Sequence, residues 1–157
     1  MNLFSRYKVD KKFVLATHVF TNVAHFRKLL IEFPWNSQPT WIRWGLIEAT
    51  LVKARAIADF LITDSHHHKD DFGAQSMVST WIQPESEFFA LREVVNKQVV
   101  HFAQQRFIGE RGNDEVLSIH LISELRLVDL AFLRFEKELK KIEPDLYREL
   151  TKQILIF

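Results

Sequence analysis

From Leu117 to Ile142 the chain sets apolar residues at Leu117, Leu121, Leu125, Val128, Phe132, Phe135, Leu139 and Ile142, in steps of three and four throughout. That spacing follows one face of an α-helix, whereas strand side chains alternate with a period of two. A helix of this length with one apolar face must lay it on other elements, so the pattern constrains the fold as well as the segment. The rest of the chain reads the same way. Residues 9–33 recur apolar at Val9, Phe13, Ala16, Phe20, Val23, Ala24 and Ile31 until Pro34 stops the run. PWNSQP is loop chemistry, and Thr40 can cap a second helix running to about Ile62. Residues 63–73 form a polar loop, and a short helical turn around Ala74 to Ile82 follows.

Pro84 with Glu85 and Glu87 resembles a helix first turn, with proline preset for helical φ and acids at the positive end of the dipole, and this helix should reach about Phe107. GERGND breaks the chain, and its Asn113 and Asp114 can cap the long helix. Pro144 ends or restarts that helix, and the tail DLYRELTKQILIF can add a short one whose apolar end docks on the bundle or on a second copy. With only four Gly and four Pro, a turn-rich β protein is disfavoured. The expected fold is all-α, an up-and-down helical bundle of four long helices plus one or two short ones, forming a single domain over 1–157.

The apolar load is unusual in kind, with 14 Phe and four Trp against two Tyr. Rings without hydroxyls imply a thick core or a buried self-association surface, so a homodimer is expected. The absence of Cys excludes disulfides and thiolate chemistry and fits a reducing cytoplasm. The start MNLFSRYKVDKK has no apolar signal-peptide core. The most hydrophobic helix is cut by Arg43, Glu48, Lys53, Arg55 and Asp59, so no membrane span is expected. A net charge of +1 provides no global field for nucleic acid or acidic lipid.

Candidate chemistry sits on two helices. WIRWGLIEATLVKARAIADFLI, residues 41–62, is apolar nearly all the way round, as for a central buried helix. On it Glu48, Arg55 and Asp59 fall within roughly 20° of one line, and Arg55 and Asp59 are an i,i+4 pair. They form either a self-satisfied stripe at a helix seam or one wall of a ligand pocket facing the 84–107 helix. On the latter, Arg106 lies at the centre of the stripe Phe88, Leu91, Val95, Val99 and Phe102, where it needs an acceptor such as Asp59 or Glu48. His101 lies roughly 140° from Arg106, beside Lys97. It is either a boundary histidine with a hydrogen-bond partner or a catalytic acid/base. His66, His67 and His68 with Asp70 and Asp71 do not amount to a dedicated metal site, because consecutive loop histidines cannot all converge on one ion, and neither metal nor cofactor is expected. His18, Asn22 and His25 read as a solvated face, and KELKK at 137–141 as a wetted helix end.

The succession ARAIADFL, an acidic loop with Asp70 and Asp71, Trp81, and then NKQVVHFAQQR resembles small bacterial all-helical proteins of the HEPN superfamily over residues 54–106. The resemblance implies a helical bundle, usually dimeric. In the superfamily an Arg is followed by a polar residue and, four to six residues further on, a His; active members cleave RNA without metal, and others bind nucleotides or act as partners in toxin and defence systems. His101 matches the His position, while Arg92 stands nine positions before it and Asn96 and Lys97 occupy the region nearest the expected Arg. The expected function is a binding or regulatory module linked to nucleotide or RNA, with Asn96, Lys97, Arg106, Arg55, Asp59 and Glu48 as ligand-binding candidates and His101 as the catalytic candidate. The alternatives are a metal-independent ribonuclease or nucleotide-transfer toxin or antitoxin component using His101, and a purely structural dimerisation protein whose partner is another protein or its own copy.

Overall fold

The computed structural model describes residues 11–31, 39–63, 72–84 and 114–154. Among them the fold is all-α. Helix α1 spans Lys11–Ile31, α2 Thr40–Ile62, α3 Ala74–Met77, α4 Asp114–Ile142 and α5 Pro144–Ile154. Three of the four expected long helices are therefore present, and the tail supplies a further one, α5. The expected helix at 84–107 lies outside the described residues, apart from Pro84, which is buried and non-helical.

The helix ends follow local chemistry. Thr40 is not the cap of α2: that position belongs to Pro39, whose carbonyl accepts the N–H groups of Ile42 and Arg43 at 2.9 and 3.0 Å. Proline has no N–H of its own to satisfy, and its ψ of 147° sets the chain extended just before the first turn. At the other end Thr63 closes α2 by donating its N–H and its hydroxyl to the Asp59 carbonyl, at 2.9 and 2.6 Å. Pro144 restarts the chain after the single non-helical residue Glu143, because proline is tolerated in a first turn that leaves N–H groups unpaired.

Helices α1, α2, α4 and α5 pack about one core, and α3 adds to it beside α2. From Leu125 to Leu139 the three-and-four stripe of α4 is its buried face, with Leu125, Val128, Phe132, Phe135 and Leu139 all at most 1% exposed; the side chains of Leu117 and Leu121 lie outside the described ones. Ile142, the last residue of α4, leaves the core at 43% exposure. Phe rings fill the centre. Phe20 meets Phe132 edge-on at 5.4 Å, and Phe135 meets Phe60 and Trp81 edge-on at 5.2 and 5.5 Å, geometries that bring ring edges onto electron-rich faces. The buried indole of Trp81 donates to the Leu61 carbonyl at 2.9 Å, so its N–H does not go unmatched. Leu150 of α5 is fully buried, with Leu146 and Tyr147 half-buried against the same core, so α5 docks on the bundle, while the apolar end of the tail, residues 155–157, lies outside the described residues.

Helix α2 departs from expectation. It is buried on one face only, through residues including Leu51, Ala54, Ile57 and Leu61, while Trp41 and Val52 are 76% and 55% exposed. Its apolar residues run round the helix because outward positions also carry them.

Candidate functional site

The line drawn by Glu48, Arg55 and Asp59 is the outward side of α2. Measured from the buried Thr50 at about 100° per residue, the three fall roughly opposite the core, with Arg55 exposed, Glu48 partly so, and Asp59 burying its Oδ1. Arg55 Nε approaches Asp59 Oδ2 at 3.6 Å, the anticipated i,i+4 pair, with side chains 48% and 36% exposed. A pair in that position contributes only a few tenths of a kcal/mol. Trp41 and Val52 share this side of the helix, so apolar groups and both signs of charge alternate along one line.

Asn96, Lys97, His101 and Arg106 lie outside the described residues, as do His66, His67, His68, Asp70 and Asp71. Their grouping with Asp59 and Glu48 remains an expectation from sequence. Among the described residues no cluster of three or more His, Asp or Glu could hold a metal ion.

The structure brings together a different set. Arg27 of α1 reaches two carboxylates of α4: its Nε donates to Asp129 Oδ1 at 2.6 Å, and its Nη1 and Nη2 donate to the two oxygens of Glu136 at 3.3 and 2.7 Å. The side chains of Arg27, Asp129 and Glu136 are 29%, 26% and 12% exposed, which keeps the cluster largely out of water. The guanidinium also lies over the Phe132 ring, 5.8 Å from its centroid. Burial alone would lower the Arg27 pKa, but the hydrogen bonds and charges of Glu136 and Asp129 outweigh it and hold the group above its ordinary value. Nearby, the Tyr147 phenol is pushed up by burial and by the Glu136 charge, with Arg27 opposing.

Such a fork fixes geometry more than it does chemistry. The cation is permanently charged and bonded to both acids, so the cluster ties α1 to α4 and offers no proton at neutral pH. In the sequence Arg27 stands out only when two helices are read together. Ala16, Phe20, Val23 and Arg27 step by four, three and four, which places the Arg on the buried stripe of α1, and Asp129 and Glu136 border the stripe of α4. A charge at a core position of one helix matched by acids at another is the signal.

On the neighbouring side of α1, His18 and His25 are exposed as expected. Asn22 between them is not simply solvated: it accepts a hydrogen bond from Lys53 Nζ of α2 at 3.1 Å, tying the two helices. Compared with models of protein families, with curated proteins and with solved structures, the chain finds no match.

Proposed function

We propose that the chain is a helical binding or regulatory module that self-associates through the outward side of α2, HEPN-like in architecture and linked to RNA or a nucleotide. The observation that carries this reading is the line Trp41, Glu48, Val52, Arg55 and Asp59, which alternates exposed apolar groups with charges of both signs. A two-fold interface needs a patch complementary to itself, and a line holding both Arg55 and Asp59 can meet its own copy with opposite charges facing. Trp41 supplies the large apolar contact such an interface centres on.

The reading is supported further by how the enclosed charges are used. Arg27, Asp129 and Glu136 satisfy one another and hold the scaffold, so they are not poised to turn over a substrate. Two measurements test the proposal. Sedimentation equilibrium of the parent should give a dimer, and Trp41→Ala or Val52→Glu should shift it toward monomer by about tenfold or more in dissociation constant while helix content is kept. Incubation of the parent with single-stranded RNA should show binding without cleavage. Cleavage that disappears in His101→Ala would replace this reading with the metal-independent ribonuclease.

A further inference from the structure

The outer arc of α4 carries charge of one sign. At about 100° per residue, Arg126, Leu130, Leu133 and Lys137 fall within roughly 60° of one another, with Leu127 and Arg134 along the border, and all six are exposed. The three leucines are 44%, 58% and 38% exposed, in the order Leu127, Leu130, Leu133. The acids of this stretch turn elsewhere: Asp129 and Glu136 bind Arg27, and Glu138 sits beside Lys141 at 4.0 Å. Among the described residues, α1, α2 and α5 all pack on α4, and the buried side of α4 lies across the helix axis from this arc.

We infer that this arc docks an acidic amphipathic helix of a protein partner. The inference names the partner of the binding module proposed above and rests on that reading. Arg126, Leu130, Leu133 and Lys137 are spaced four, three and four, the spacing by which one helix seats its side chains between those of another. The leucines occupy the middle and the cations the two ends, so the complementary surface has an apolar centre with carboxylates at both ends. A second copy brings the same cations and is repelled, which separates this arc from the two-signed line on α2. An RNA backbone answers the cations but leaves Leu130 and Leu133 in water. A bilayer would meet a strip one helix wide, less than the broad apolar face that interfacial helices bury.

The probe is a labelled synthetic helical peptide with leucines at three- and four-residue spacing flanked by glutamates, and its control carries lysines in place of the glutamates. By fluorescence anisotropy with the full chain, the glutamate peptide should bind and the lysine peptide should not. Binding should weaken about tenfold or more in the double variant Arg126→Glu/Lys137→Glu and in Leu130→Ser, and on raising salt. These positions are exposed, so helix content and solution mass should match the parent. The inference is overturned if the glutamate peptide fails to bind, if the lysine peptide binds equally, or if phosphatidylserine-containing vesicles or single-stranded RNA bind more tightly. A fall in solution mass in the same variants would assign the arc to a second copy and overturn it as well. Loss of peptide binding with the dimer intact counts against this inference alone; a monomeric parent that still binds the peptide counts against self-association alone.

Discussion

Arg27 binds two carboxylates on a helix about a hundred residues further along the chain, and the three groups are enclosed enough that water replaces a lost partner only in part. Arg27→Met should therefore cost about 1–3 kcal/mol in urea unfolding, less than for a fully buried pair because each side chain keeps some water. Arg27→Lys should recover little, since an ammonium cannot reproduce the bidentate fork on Glu136. By contrast, Arg55→Ala should change stability by less than about 0.5 kcal/mol, as its contact with Asp59 is long, at 3.6 Å, and the Arg55 side chain is half exposed. A loss as large as that of Arg27→Met would show that Arg55 is more deeply engaged than its exposure indicates. Tyr147 adds a pH signature. Its folded pKa is raised, so the folded state favours the neutral phenol. Its contribution is full below the ordinary value of about 10 and is lost as pH rises through the folded value. Unfolding measured from pH 9 to 11 should fall less steeply for Tyr147→Phe than for the parent. Gly73 is constrained by space: a Cβ there would lie 2.4 Å from the Thr63 carbonyl oxygen, so Gly73→Ala must shift backbone and should cost about 1–3 kcal/mol.

At the scale of elements, the sequence told most where the hydrophobic period was long and regular. From Leu125 to Leu139 the stripe of α4 is legible residue by residue, because a helix with one apolar face has one way to bury it. It failed at Ile142, where the period continues to the last residue of the helix but the burial does not. For α2 the period gave the helix without its orientation: with Trp41, Val52 and Ala56 on the outside, composition alone pointed to a helix buried all round. Helical arithmetic puts Glu48, Arg55 and Asp59 on one line, and only packing tells which way that line faces. Arg27 was missed for the opposite reason. One charge in the seam of α1 gives no hint by itself, and the matching acids lie on a helix reached only through the fold. The docking of α5 rests on Leu150. Leu150→Ala should cost about 2–4 kcal/mol, and Ile142→Ala, at the exposed end of the α4 stripe, less than about 1 kcal/mol. Equal losses at the two positions would contradict the arrangement of α4 and α5.

For the whole molecule, five of the seven Phe among the described residues, Phe20, Phe26, Phe60, Phe132 and Phe135, are buried in the core. Phe135→Ala should be among the most damaging single changes, about 3–5 kcal/mol, since its ring touches Phe60, Phe132 and Trp81. A core that absorbs these rings does not need a partner to hide them, so self-association has to come from the surface instead. The described surface offers two unlike faces: the two-signed line on α2 suits a second copy, and the cationic, leucine-bearing arc of α4 suits an acidic helix. The candidate set around His101 belongs to residues outside the described ones, and its role is a matter for assay. The most direct test of the central claim is the solution mass of the parent beside Val52→Glu, measured by sedimentation equilibrium over a range of concentrations. A parent near twice the 18.6 kDa chain mass, with the variant at or close to one chain, is the expected result. A parent that stays monomeric at the highest concentration, or a variant as dimeric as the parent, would contradict it.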